Sequence, residues 1–357
     1  MLAPLALGDR PRTSADGHGF RIRDKKVPPE YVISTKPVGE GAHNAAYKAT
    51  HPGIRGEVLF RVNTDVPETR EQEEDMDREI AGEVARSIEF ATLGIAPLLY
   101  DYGYCPPTRD NDGYFWQVME LYDESLHAYL EREGRQACAE THRIEEMVLD
   151  KLSVMVQARS FCYDIHPRNV VVKKDAKGRI AKVALIDFDD SFCIRKSRIN
   201  PPDAARRSHR PTYRVSPNNL LVSALLVFGS NSREQCGVPL FRDKVLGLLR
   251  GDRTYAIEGG GPVDMATVLN FLGTSTAQGT HSTLGLLRHW NTRYGPDAAP
   301  ETFVQHVLGG PAFAHFGRHH DRYSHHDRHH RHSSHGRFHG GRSSRRISRV
   351  HRRRSRR

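Results

Sequence analysis

The stretch FCYDIHPRNVVV, residues 161–172, sets Asp164 five residues ahead of Asn169, with His166 between them and three valines directly after. An aspartate can take the proton from a hydroxyl, and an asparagine oxygen is a hard ligand for a divalent cation. The β-branched run that follows reads as a strand, so both groups stand where a strand begins. A further carboxylate, Asp187 in LIDFDD, stands where another apolar run ends. The intervening NVVVKKDAKGRIAKVALIDFDD reads as strand, turn at Asp175 to Gly178, and strand. Such a hairpin returns Asp187 to the neighbourhood of Asn169. Two oxygen ligands there can hold Mg²⁺ together with substrate phosphates, with Asp164 beside the metal as the base.

A third piece is VGEGAHNAAYKA, residues 38–49, a glycine-containing strand–turn–strand. Gly39 and Gly41 lack side chains, so backbone amides there can approach phosphate oxygens closely. Two glycines between strands also make an ordinary hairpin, and the segment alone does not decide between the two.

The elements that must carry these residues follow from periodicity. Residues 1–28 are polar and rich in Gly, Pro and Arg, which reads as a flexible leader. YVISTKPVGEG, AAYKAT and GEVLFRVN then read as successive hairpin strands separated by Gly and Pro clusters. In ETREQEEDMDREIAGEVARSIEFATLG, Ile80, Val84, Ile88 and Ala91 share one face of an amphipathic helix ending near Gly94. APLLYDYGY and GYFWQVMEL are aromatic and β-branched, hence strands. From about residue 125 the pattern turns helical. RIEEMVLDKLSVMVQA puts Ile144, Met147, Val148, Leu152 and Met155 on one face, and helical patterns return between 217 and 310.

Charge separates the chain into two regimes. The whole carries +10, yet residues 311–357 hold 14 Arg, no Lys and 2 Asp, which leaves 39 basic against 41 acidic residues in 1–310. The basic pI therefore describes the tail. That tail, with 11 histidines and few aliphatics, reads as disordered, and its arginines suit phosphate backbones or an acidic partner. The five cysteines are far apart, odd in number and without a C-x-x-C pair, which argues against a disulfide framework and fits a reducing compartment. The longest apolar stretch, LLVSALLVFG, is too short to span a bilayer. The expected setting is intracellular, in cytoplasm or nucleus, with no membrane partner.

Taken together, a glycine loop, an acidic helix, D-x-x-x-x-N and D-F at a strand end resemble the protein-kinase-like superfamily in order and spacing over roughly residues 31–192. GAHNAAYKA is similar to the segment in which a glycine turn runs into V-Y-K-A, and VMELYDESL resembles the hinge between two lobes. The resemblance implies an α+β, bilobal protein-kinase-like fold at 29–310. Its small β-rich N-lobe would span about 29–121 and its mainly helical C-lobe about 122–310, with the 311–357 tail beyond.

It also implies an activity, a divergent protein Ser/Thr kinase using ATP and Mg²⁺, with these roles. Asp164 is the catalytic base, with His166 in the same loop. Asn169 and Asp187 hold the metal. Gly39 and Gly41 cover the nucleotide phosphates, Glu83 (or Glu79, one turn earlier) pairs with Arg61 on the third strand, and Glu120 and Leu121 line the hinge. Several positions depart from the family pattern. Asn44 replaces the third loop glycine, Arg61 in VLFRV replaces a lysine, Cys162-Tyr163 replaces histidine-arginine, and Asp189 follows Asp187-Phe188 where glycine is usual. DIHPRN and IDFDD look more like the loops of aminoglycoside- and choline-type kinases. That leaves a small hydroxylated molecule as the rival substrate, and a pseudokinase scaffold with a nucleic-acid-binding tail as the rival class.

Overall fold

The computed structural model describes residues 2–13, 20–41, 43–63, 65, 69–108, 113–133, 140–162, 164–188, 193–194, 215–275 and 300–309. They form a mixed α+β protein in which a β-sheet region is followed by helices. The expected tail at 311–357, together with Tyr163 and Asp189, lies outside the described residues. Two compact units are distinguished. Among the described residues, one runs up to Val84 and includes Leu98–Leu121; the other comprises Ala85–Pro97 and those from Tyr122 to Gly309.

In the first unit, β1 (Arg12–Thr13) pairs with β2 (Phe20–Arg21). Strands β3 (Val32–Glu40), β4 (Asn44–Thr50), β5 (Glu57–Asn63), β6 (Leu99–Cys105) and β7 (Tyr114–Glu120) form an antiparallel sheet in the order β3-β4-β5-β7-β6. On β5 the alternation of strand side chains buries Val58 and Phe60, while β7, inside the sheet, is buried on both faces from Phe115 to Val118. The Phe60 and Trp116 rings stack with centroids 5.9 Å apart. These residues, with Tyr31, Ala49, Ile54 and Cys105, make the core of this unit.

The described part of the leader is tied to this sheet. Leu5 donates its N–H to the Leu99 carbonyl at 2.7 Å and Lys25 to the Tyr104 carbonyl at 2.8 Å. The Trp116 indole N–H donates to the Lys25 carbonyl at 2.9 Å. Polar composition suggests a loose segment because it reports the side chains; these ties run through the backbone, which composition does not report.

Helix α1 (Arg70–Thr92) buries Ile80, Val84, Ile88 and Ala91, the stripe its periodicity predicts. Its residues up to Val84 belong to the first unit and those from Ala85 to the second.

The second unit contains β8 (Glu124–Ser125), α2 (Leu126–Glu133), α3 (Thr141–Gln157), β9 (Phe161–Cys162), β10 (Val170–Lys174), β11 (Ile180–Leu185) and β12 (Cys193–Ile194), then α4 (Pro217–Cys236), α5 (Arg242–Leu249), α6 (Met265–Ser275) and α7 (Pro300–Leu308). Helix α4 is buried on every side from Asn218 to Ser232, as expected of a helix at the centre of a core. It begins where the Ser216 side chain accepts the Asn219 N–H with Pro217 in the first turn, and it stops at Gly237, whose φ of 71° suits glycine. Among the described residues, no helix is long and apolar enough to cross a membrane.

One expectation is overturned. Cys162 and Cys193, 31 residues apart, form a disulfide. The two-residue strands β9 and β12 pair antiparallel with these cysteines directly opposite each other. Spacing in the sequence could not show the pair because strand pairing creates it. The cysteines therefore give no support to a reducing compartment.

Candidate active site

The β10–β11 hairpin forms as its sequence predicts. Val170 faces Leu185 at the open end, and the closed end is fixed by the Asp175 carboxylate, which accepts the N–H groups of Lys177 and Arg179. Gly178 provides the left-handed residue this turn needs, with φ 76°. One backbone bond extends the ladder past the strand end, from the Ile186 N–H to the Asn169 carbonyl at 2.9 Å. Asn169 and Asp187 are thereby neighbours at the mouth of the hairpin.

Asn169 closes a short 3-10 turn, Pro167–Asn169, and is 9% exposed. Its Nδ2 donates to the Asp164 carbonyl at 3.0 Å and to Asp164 Oδ2 at 3.3 Å. The amide nitrogen is thus spent on orienting Asp164, and the amide oxygen is the end a cation would take. His166 Nε2 approaches Asp164 Oδ1 to 3.4 Å, while its buried Nδ1 has no hydrogen-bond partner among the described residues. Asp164, His166 and Asn169 therefore form one connected group.

Asp187 is exposed and left-handed, with φ 66°, in a region where few side chains other than glycine, asparagine and aspartate are tolerated. The chain is anchored on both sides of it. Ile186 is held through the bond to Asn169. Phe188 is buried against Phe90 with ring centroids 4.5 Å apart, and its carbonyl accepts from Arg86 Nη1 at 3.3 Å. Fixed neighbours can hold a strained backbone that would relax if the segment were loose.

The loop rests on α4, where buried Asn231 donates Nδ2 to the Ile165 carbonyl at 3.1 Å. Behind it lies a second polar cluster. His127 Nδ1 is 3.3 Å from Cys236 Sγ, and His127 Nε2 is 3.2 Å from Glu131 Oε2. Burial, followed by the Arg168 guanidinium, pushes the His127 imidazole below its ordinary 6.5, and burial pushes the Cys236 thiol up to about 11. Both groups are thus held neutral. A thiol in that state is a poor nucleophile, so this cluster reads as packing support for the loop.

In the first unit, Arg61 on β5 donates through Nη1 to Glu83 on α1, forming an ion pair whose side chains are 19% and 15% exposed. Gly39 pairs with Ala46 on β4, and the Gly41 N–H donates to the Asn44 carbonyl at 2.8 Å. Among the described residues, a Cβ added to Gly39 would meet nothing within 4 Å, and one on Gly41 only the Asn44 carbonyl at 3.8 Å. Neither glycine is needed for internal packing. The missing side chains matter only to something approaching from outside. Glu120 ends β7 with its N–H on the Leu98 carbonyl at 2.7 Å, and Leu121 closes the unit.

The structure thus brings together Asp164, His166, Asn169 and Asp187 within the second unit, and Arg61 with Glu83 within the first. Sequence reasoning missed Asn231, Arg86 and the Cys162–Cys193 bond. The run GSNS in an otherwise apolar helix was a legible hint of Asn231, since small polar residues inside a core helix need partners. Among the described residues, no group of three His, Cys, Asp or Glu side chains is placed to hold a metal ion. A magnesium ion bound with substrate phosphates needs only one or two protein ligands, so the donor set of Asn169 and Asp187 fits it. Compared with known proteins, the chain matches no family model, and no curated protein matches it.

Proposed function

We propose that the chain is an ATP- and Mg²⁺-dependent phosphotransferase of divergent protein-kinase-like fold, acting on Ser/Thr hydroxyls of proteins. In this reading the sheet unit is the N-lobe and the helical unit the C-lobe. The observation that carries it is the bond from Ile186 N–H to the Asn169 carbonyl, which sets Asp187 beside an asparagine already hydrogen-bonded to Asp164.

Each residue then has a defined task. Asp164, held by the Asn169 amide, orients the acceptor hydroxyl and takes its proton as the bond to phosphorus forms. Asn169 Oδ1 and the Asp187 carboxylate would hold the magnesium ion, which when bound neutralises charge on the transferring phosphates. In the first unit, Gly39 and Gly41 leave room for backbone N–H groups to approach nucleotide phosphates. Arg61 is engaged by Glu83, and a guanidinium in such a pair grips phosphate less closely than a lysine ammonium. Positioning and electrostatics supply most of the catalysis of phosphoryl transfer, so the reading tolerates a weaker grip.

A small hydroxylated acceptor is the second reading, favoured by His166, whose imidazole lies against Asp164 where protein kinases carry a lysine. Transfer of labelled phosphate from ATP to a generic protein and to an aminoglycoside, with wild type and Asp164→Asn side by side, tests both. Transfer to protein that falls at least a hundred-fold in the variant is expected. Transfer to the aminoglycoside alone would shift the substrate class. Nucleotide binding with no transfer by either protein would make the chain a scaffold.

A further inference from the structure

Every side chain assigned above to the second-unit site lies between two cysteines. Cys162 stands two residues before Asp164, Cys193 stands six residues after Asp187, and the bond between them closes a loop containing Asp164, His166, Asn169 and Asp187. The strands that align the two cysteines have two residues each, too few for backbone pairing alone to hold them firmly. The covalent bond is therefore what fastens the two-residue strand pair at the base of this loop, outside the β10–β11 hairpin. Cys162 is buried and Cys193 half-buried, so Cys193 is the sulfur an exchanging thiol reaches first. Cys236 is engaged by His127 and held as a thiol, which makes it a poor competitor in exchange.

We propose that Cys162 and Cys193 form a reversible thiol–disulfide clamp that regulates this site: the bonded state keeps the segments bearing Asp164 and Asp187 in place, and reduction loosens them. The regulatory part rests on the phosphotransferase reading; the clamp itself does not. The oxidant is a small disulfide of the glutathione class. The Cys193 thiolate attacks one glutathione sulfur, forming a mixed disulfide and releasing one glutathione thiolate. The Cys162 thiolate then attacks Cys193 Sγ, breaking the mixed disulfide and releasing the second. Two electrons pass from the protein to glutathione, and the two cysteine protons end on the two glutathione thiols. Reduction is the reverse sequence.

The test uses the full-length chain equilibrated in buffers of graded reduced and oxidised glutathione. Free thiols are counted by alkylation and mass, amide hydrogen exchange is followed at 164–169 and 185–188, and ATP-dependent transfer is assayed on a generic protein. Oxidation is expected to remove two thiols together, located by peptide mapping at 162 and 193. Exchange in both segments should then slow at least ten-fold and transfer rise at least five-fold. Cys193→Ser should behave as the reduced protein in every buffer, with a cooperative thermal transition showing that it folds. Two thiols that persist in the most oxidising buffer, or exchange rates indifferent to the bond, would overturn the clamp. Slowed exchange with no transfer in either state upholds the clamp and removes the reading as a protein kinase. Equal transfer in both states removes the regulation while leaving that reading intact.

Discussion

Asn231, buried in α4, donates its side-chain amide to the carbonyl of Ile165, the residue between Asp164 and His166. A loop that must place a carboxylate is thus braced from below by the most deeply buried helix of its unit. The brace touches backbone, so it leaves both flanking side chains available to the site.

Asn231→Ala should cost about 1–3 kcal/mol, because the Ile165 carbonyl is left without its donor in a place water reaches poorly. Transfer should fall roughly ten- to a hundred-fold as Asp164 drifts from its position. Urea unfolding reads the first effect and the phosphate-transfer assay the second. Unchanged transfer at lowered stability would reduce Asn231 to a purely structural role.

Two glycines should respond in opposite ways to the same substitution. Gly229→Ala would put a Cβ 2.5 Å from the Leu240 carbonyl and 2.9 Å from Leu308 Cδ2, and should destabilise the protein by about 1–3 kcal/mol. Gly39→Ala meets open space, so its stability should change by under about 0.5 kcal/mol. Its loss should appear in ATP affinity, measured by titration with a fluorescent nucleotide.

Arg61→Lys is expected to raise the transfer rate or the ATP affinity several-fold, since an ammonium makes a point contact with phosphate where the guanidinium is engaged through Nη1 by Glu83. Lysine keeps a positive charge opposite the mostly buried Glu83, so the pair is retained and stability should fall by about 1 kcal/mol at most. Slower transfer in the lysine variant would show that the arginine has become the better phosphate contact.

His127 should make the fold sensitive to mild acid. Burial and Arg168 depress its folded-state pKa, and His166 acts in the same direction, while Glu131 opposes them and Cys236 stays neutral beside it. The unfolded chain therefore binds the proton more readily. Stability from this group is complete above 6.5 and is lost as the pH falls through the lower folded value. Chemical unfolding across that window should show the decline, and His127→Gln should flatten it.

Removing 311–357 should leave the cooperative unfolding of the remainder unchanged. It takes away a segment of 14 Arg and 2 Asp, and with it any binding to RNA or DNA that weakens steeply with salt. Filter binding at graded salt checks this; full retention in the truncated chain would move the contact to residues 1–310.

How much of this was legible depends on whether the cause is local. The β10–β11 hairpin was, because Asp175 and Gly178 build its turn from adjacent residues, and its two strands bring Asp187 back to the neighbourhood of Asn169. The α1 face was legible because one side of that helix stays polar. Asn231 was nearly invisible, since a helix buried all round has no periodicity from which to read a face. The Cys162–Cys193 bond depends on strands of two residues, too short for any propensity to mark. The ties of Leu5 and Lys25 to the sheet were not legible, because they run through main-chain atoms, which every residue carries alike.

The left-handed backbone at Asp187 makes that position a genetic trap. Most replacements would fight the torsion angle; glycine and asparagine would accept it, yet one discards the carboxylate and the other its charge. If the carboxylate is needed, no neighbouring amino acid offers a way out, and the site can be kept or abandoned but not gradually reshaped.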